Sequence, residues 1–358
     1  MGPRLERRTT PSKRMSWGSP LLAVGLTLAS CIVLFLLLGL NPVTALYVFF
    51  VQPISNVYGA TELLVKATPL VLCALGLAIG FRANVWNIGA EGQLLFGAIF
   101  GGGAALAFYE QDFVGLLPLV ALAGALGGAL WAAIPAWLKT HFGANEILVS
   151  LMLTYVAGLA LSYLVHGPWK DPEGFNFPES RLFHDAALLP ILIEDTRLHA
   201  GAAVALVAVV ACWLLLARFM VGFQIKVIGL APGAARYAGY SESGVIWFCL
   251  LLSGGLAGLA GAFEAVGPVG QLVPNISPGY GFTAIIVAFL GRLHPAGILL
   301  AGCLMALTYL GAETAQIELN MPSAVTGVFQ GMLLFYLLAA DVLISYRIVW
   351  RTATGETS

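Results

Sequence analysis

Apolar residues run through this chain in long blocks separated by short polar stretches. Ten blocks stand out, near residues 20–40, 63–80, 88–109, 115–138, 146–166, 199–217, 244–266, 282–291, 295–312 and 323–346. A helix needs about 20 mostly apolar residues to cross roughly 30 Å of hydrocarbon. The pattern therefore predicts an all-α, polytopic integral membrane bundle of about ten transmembrane helices. The first and last blocks are the clearest. The eighth is too short to span unless it is tilted, broken or longer than drawn. Residues 267–281 hold Gly267, Pro268, Gly270, Pro274, Pro278, Gly279 and Gly281, which excludes a regular helix. Irregular backbone is not tolerated against lipid, so this stretch is expected outside the bilayer or tucked against protein, with broken or re-entrant segments in the bundle.

Charge sets the orientation. Cytoplasmic loops of membrane proteins carry excess Lys and Arg. With ten spans and the N-terminus inside, the inner segments hold Arg4, Arg7, Arg8, Lys13, Arg14, Arg82, Lys139, Arg218, Lys226, Arg236, Arg292, Arg347 and Arg351, which is 13 of the 17 basic residues. Lys66, Lys170, Arg181 and Arg197 fall outside. The outer loop at 167–198 is acidic, with Asp171, Glu173, Glu179, Asp185, Glu194 and Asp195. Both termini are therefore expected in the cytoplasm: a basic tail at 1–19, a permease domain over 20–346 with an inner loop at 218–243, and a tail at 347–358. The basic start followed by an apolar run resembles a signal peptide, but the run is long and no small-residue cleavage site follows, so an uncleaved first span is expected.

Composition narrows the function classes. The chain has 358 residues, of which 59% are hydrophobic and 10% charged, against about 25% charged in a soluble domain. A soluble enzyme is excluded, as is disorder, which needs low hydrophobicity. A net charge of −1 leaves no basic excess for nucleic acid. The five cysteines are dispersed in apolar stretches and read as small buried residues rather than disulfides. There is no phosphate-loop motif, no H-E-x-x-H and no G-x-S-x-G. An ion-coupled secondary transporter would need ionisable groups near mid-bilayer, and the span centres are nearly free of them.

Five features remain. Small-xxx-small pairs at Gly76/Gly80, Gly97/Gly101, Gly124/Gly128, Gly254/Gly258 and Gly327/Gly331 predict close helix packing. The segment 81–93 packs Asn84, Asn87, Glu91 and Gln93 between two spans, with Gly89 and Gly92 beside the acid. An ionisable group there marks a functional site; equally, Asn87 as a cap and Glu91 at a positive helix end would explain it. Asn145-Glu146 reads as a cap with an acid in the first turn, or as part of an inner gate. In the inner loop, Ala231 to Ala238 fits a short helix with Pro232 in its first turn and Gly239 ending it, exposed as a docking segment or simply a helical turn in a loop. Outside, residues 167–178 mix prolines, aromatics and charge, as a semi-rigid contact surface or a plain cap on the bundle.

These motifs resemble those of ABC-importer permeases of the branched-chain amino acid, ribose and nucleoside superfamily. Asn87-Ile88-Gly89-Ala90-Glu91-Gly92-Gln93 is similar to the superfamily signature. Residues 229–239, Gly-Leu-Ala-Pro-Gly-Ala-Ala-Arg-Tyr-Ala-Gly, resemble its coupling segment, G-x-N-x-x-A-A-x-x-A-G, with Ala231 where Asn is usual. Gly174-Phe175-Asn176-Phe177-Pro178 is similar to the outer loop of the simple-sugar and nucleoside branch.

The resemblance implies an importer permease of a bacterial cytoplasmic membrane, with no enzymatic activity and no cofactor of its own. ATP and magnesium would sit on a partner ATP-binding cassette subunit that grips Gly229, Pro232, Ala234, Ala235, Arg236, Tyr237 and Gly239. It also implies a second, paralogous permease subunit and a solute-binding lipoprotein that meets Trp169, Phe175, Asn176 and Phe177. The solute pathway would be lined by Asn87, Glu91, Gln93 and Phe282, with Gln271 near the outer mouth. Nucleoside is the expected solute, with ribose-type sugars or branched-chain amino acids as alternatives.

Overall fold

A computed structural model describes residues 3–8, 13–109, 111–113 and 115–350; residues 351–358 of the expected C-terminal tail, with Arg351, lie outside the described residues. A helix stands at each of the ten expected blocks: α1 (Lys13–Leu37), α3 (Val57–Arg82), α4 (Ala90–Ala107), α5 (Leu116–Phe142), α6 (Glu146–His166), α7 (Gly201–Arg218), α10 (Glu242–Glu264), α11 (Tyr280–Leu290), α12 (Pro295–Leu319) and α13 (Ala324–Ser345). Eight of the described helices are long and apolar enough to cross a membrane. The other two, α4 and α11, carry the polar signature and the shortest block.

Three further helices lie outside the ten blocks: α2 (Pro42–Phe50) and α8 (Met220–Leu230), which were not legible in the pattern, and α9 (Pro232–Tyr237), the short helix expected in the inner loop. The Asn41 side chain caps α2 and Pro42 opens it. α8 hid in the inner loop because its eleven residues, broken by Gln224 and Lys226, are only about 17 Å long and cannot span.

The chain forms two compact units, 1–53 with 308–358, and 54–307. In the first, α1 packs against α13, with Ser19 Oγ donating to Asp341 Oδ1 at 2.7 Å. A two-stranded antiparallel ribbon, β1 (Pro3–Arg7) with β2 (Tyr346–Trp350), joins the ends of the chain. The two ends therefore leave the unit on the same side.

The second unit is built on glycine. A Cβ on Gly97 would overlap Gly258, one on Gly128 would overlap Gly254, and one on Gly261 would overlap the Leu94 carbonyl oxygen. α4, α5 and α10 thus meet backbone to backbone, as the small-residue pairs predict. Gly76 in α3 lies against Ser253 of α10. Gly327/Gly331 departs from the expectation: among the described residues, no other part of the protein comes within 4 Å of where a Cβ on either glycine would stand.

The loops of this unit sort to two ends. At one end Arg82 bonds to Leu293, Trp86 to Glu146, and the 139–147 turn shares a cavity with Glu242, Ser243 and Ile246. At the other, Trp169 lies on Gly103, Ser180 on Leu272 and Arg197 on Glu62. Segments expected inside gather at the first end and those expected outside at the second.

Candidate functional site

The polar signature sits where two helices begin inside the bundle. The chain leaves α3 at Arg82 and turns through Asn84, whose φ of 58° is tolerated by a short polar side chain. It then runs back along α3 in extended form. Val85 reaches the level of Gly80, and Asn87 reaches Ser253, which itself lies against Gly76. Gly76 is six residues before the end of α3, about 9 Å. α4 therefore starts well below the surface.

From the opposite end, α10 continues through a π-helical turn, Ala265–Val269, three residues further than the glycines and prolines of 267–281 led us to expect. Residues 270–279 then descend between protein surfaces, with Leu272 and Ile276 buried. Phe183 N–H donates to the Gly270 carbonyl and Ser180 N–H to that of Leu272. The short eighth block is the eleven-residue α11, about 17 Å long. It starts beside Glu91 rather than at a surface.

The two helix N-termini meet on one carboxylate. Gly281 N–H, in the first turn of α11, donates to Glu91 Oε2 at 2.6 Å. Ser277 and the Gly279 backbone also hydrogen-bond to that carboxylate, while the Ser277 hydroxyl accepts from Gly279 N–H and Tyr280 N–H. Glu91 also lies in the first turn of its own helix. Orphan N–H groups and the positive ends of two helices thus converge on one buried anion. The approach is backbone to backbone: a Cβ on Gly281 would stand 2.5 Å from the Glu91 Cα.

Asn87 and Gln93 form a reciprocal amide pair. Asn87 Nδ2 donates to Gln93 Oε1 at 2.8 Å, and Gln93 Nε2 to Asn87 Oδ1 at 3.0 Å. Asn87 Oδ1 also accepts from Gly89 N–H at 3.1 Å, and Asn87 Nδ2 donates to Ser253 Oγ at 2.9 Å. Asn87 therefore supports the helix start from two residues ahead, and Gly89 occupies the cap position without a side-chain bond. Asn87, Glu91 and Gln93 are all buried, whereas Phe282, one residue beyond Gly281, is 39% exposed. Gln271 stands apart from them, donating to Glu179 Oε2 at 2.9 Å in the outer loop.

Replacing Glu91 with Gln removes the charge while keeping one acceptor. Loss of the helix-end interactions is expected to lower stability by about 1–2 kcal/mol, read as a lower melting temperature of the purified chain. An unchanged melting temperature would deny the junction its role.

The inner end is tied to this junction. Arg82 Nε and Nη2 donate to the Leu293 carbonyl at 3.1 and 2.9 Å, fastening α3 to the α11–α12 turn, where Arg292 and Leu293 both have positive φ. Phe81, Trp86 and Phe289 stack at the same place, with Phe81 and Phe289 centroids 5.2 Å apart. Asn145 caps α6 by accepting from Ile147 N–H at 2.9 Å. Glu146 does more than sit in a first turn: it pairs with Lys139 and accepts from Trp86 N–H at 3.4 Å. Its neighbourhood is a cavity of about 690 Å³ lined by Lys139, Asn145, Glu146 and Glu242.

The docking segment folds as its sequence predicts. α9 starts at Pro232, Gly239 closes it at φ 78°, and Tyr240 N–H bonds to the Ala235 carbonyl at 3.0 Å. Among the expected coupling residues, Tyr237 is 98% exposed, Ala235 is buried, and Arg236 pairs with Glu242 at 2.8 Å. Gly229 ends α8 against the Arg82 carbonyl, which a Cβ would overlap. In the outer loop Phe175, Asn176 and Phe177 are exposed. Trp169 instead packs inward on Gly103 because only a glycine leaves room for its ring.

Comparison with known proteins places the chain in a family. The model of a family described as branched-chain amino acid transport system / permease component matches residues 59–338. The glucose ABC transporter permease protein TsgB13 of Haloferax volcanii is 39% identical over 352 residues, covering 96% of this chain and 92% of its own. The guanosine ABC transporter permease protein NupP of Bacillus subtilis is 32% identical, covering 90% of this chain and 92% of its own. The nucleoside ABC transporter permease protein NupB of Lactococcus lactis is 26% identical, covering 90% and 91%.

Proposed function

The chain belongs to the family of branched-chain amino acid transport system permease components, in its sugar and nucleoside branch, and from that membership we propose that it forms one half of the solute pathway of an ATP-driven importer. It is a multi-pass membrane protein. Our reading has ten crossings in a bacterial cytoplasmic membrane, both ends facing the cytoplasm. The sorting of loops to two ends, the ribbon that joins the termini and the Lys and Arg bias support it.

The solute we propose is a hydroxylated ring, a sugar or a nucleoside. The expectation of a nucleoside is widened because the relative at 39% identity is named for glucose and the one at 32% for guanosine. ATP and magnesium belong on a separate ATP-binding cassette subunit. A second permease chain completes the pathway, and a binding lipoprotein delivers solute to Phe175, Asn176 and Phe177. Phe282 faces the pathway, Gln271 stands near its outer mouth, and Asn87, Glu91 and Gln93 hold the helix junction behind it. Solute moves by alternating access, in which ATP binding favours one state of the bundle over the other.

The observation that carries this reading is α9, a six-residue helix with an almost fully exposed Tyr237 at the basic end of the molecule. Too short to be stable alone, it presents a side chain that nothing among the described residues covers. Cells lacking this chain are expected to lose uptake of labelled glucose or labelled guanosine and to regain it on complementation. Uptake by vesicles holding this chain alone, driven by an ion gradient, would overturn the reading.

Tyr237→Ala is expected to reduce that uptake about tenfold or more while the chain still inserts, since an aromatic anchor at an interface is worth about 2 kcal/mol or more. Pull-down of the ATPase subunit with the variant checks the cause, and undiminished capture would remove the docking role. Ala235→Trp is a poorer probe, because Ala235 is buried and the larger Trp ring would disrupt α9 itself.

A further inference from the structure

A second polar cluster lies at the outer end of α3, in none of the motifs read from the sequence. Glu62 and Lys66 stand one helical turn apart on α3. Glu62 Oε2 is 3.5 Å from Arg197 Nη1, and Arg197 Nη2 donates to the Pro268 carbonyl at 2.8 Å. Glu264, the last residue of α10, lies within electrostatic range of Lys66, Arg197 and Glu62. His199 closes the back of the cluster, packed against Gly267 and accepting from Gly201 N–H at 3.2 Å.

A plain ion-pair clamp would explain part of this, but two features go beyond a clamp. Glu62 is only 7% exposed, yet its Oε1 has no hydrogen-bond partner. A buried carboxylate oxygen left unpaired is expensive, and such an orphan calls for an explanation. The helix that carries Glu264 also breaks into its π-helical turn at the next residue, a distortion found mostly at functional sites. Arg197 has half its side chain exposed, whereas Glu62 is buried beneath it.

We infer that Glu62, Lys66, Glu264 and Arg197 form a recognition site for an uncharged polyol ring in the outer half of the pathway. Two acidic and two basic groups carry no net charge, so the site favours neither cations nor anions. A hydroxyl both donates and accepts. A vicinal diol can donate to Glu62 Oε1 and Glu264 while accepting from Lys66 and Arg197, and such charge-assisted bonds are the strong ones. A hydroxylated ring is also the chemistry that glucose and a nucleoside share. The inference rests on the importer reading above.

The test is equilibrium binding of labelled glucose and labelled guanosine to the full-length chain in lipid nanodiscs, apart from any uptake assay. The wild-type chain is expected to bind one of them, with Glu62→Gln and Lys66→Met each weakening binding about tenfold, the loss of one charge-assisted bond. The deoxy analogue of the bound solute should bind correspondingly less well. Equal binding by the variants, recovery of full affinity when the pair is exchanged as Glu62→Arg with Arg197→Glu, or no binding of either solute to the wild type would overturn the site. Uptake by the complete importer stands as the separate test of the parent reading, and its loss in the wild type would fail that reading first.

Discussion

Gly281→Val is expected to abolish transport and to lower the stability of the chain more than any other single substitution at the helix junction. The reason is the partner it would strike. A Cβ at 281 overlaps the Glu91 backbone nitrogen and stands 2.5 Å from the Glu91 Cα, and backbone atoms cannot swing aside as a side-chain tip can. Overpacking of this kind typically costs about 1–3 kcal/mol. Separating α11 from α4 would also stretch the 2.6 Å bond from Gly281 N–H to Glu91, leaving a carboxylate buried with fewer donors. Thermal unfolding of the purified chain and solute uptake by the complete importer check the two effects. Gly281→Ala grades the test, since the first clashing atom is the Cβ itself. An alanine variant with wild-type melting temperature and uptake would show that the two half-helices do not depend on this contact.

That junction shows which parts of the molecule a sequence can disclose. The ten apolar blocks were legible because hydrocarbon demands long apolar runs, and four of the glycine pairs were legible because close helix contact leaves room for little else. α9 was legible because Pro232 and Gly239 mark its two ends by local backbone preference alone. Glu91 was visible as an acid among glycines, but its partners were not. Ser277, Gly279 and Gly281 lie about 190 residues further on, and nothing local to either segment records that they meet. Asn87 and Gln93 looked like pathway residues because amides in a membrane helix are costly; their pairing with each other depends on the chain folding back along α3, which Asn84 permits without announcing. Glu62 and Lys66 escaped notice because they lie at the start of an apolar run, where charged side chains ordinarily reach the surface. Arg197 and Glu264, which draw them into a cluster, come from two other elements.

The largest effect on coupling, as distinct from folding, is expected at the contact between Gly229 and Arg82. A push on α9 reaches α8 through Ala231, and α8 ends with Gly229 against the Arg82 carbonyl. The Arg82 guanidinium grips the Leu293 carbonyl with two bonds, so the same residue touches the docking helices, the base of the re-entrant segment before α4, and the turn that follows α11. Both half-helices that meet on Glu91 are therefore anchored at one point, next to the segment proposed to receive the ATPase. Gly229→Ala would force α8 off that carbonyl, and Arg82→Gln would free the α11–α12 turn, whose two left-handed residues are otherwise strained. In each case ATP hydrolysis by the complete importer should continue while solute moved per ATP hydrolysed falls tenfold or more, about 1.4 kcal/mol of lost coupling per decade. Arg82→Lys should recover little, because an ammonium cannot reproduce the two-pronged grip of a guanidinium. An unchanged ratio of solute to ATP in Gly229→Ala would mean that force passes from the docking helices to the bundle by another route.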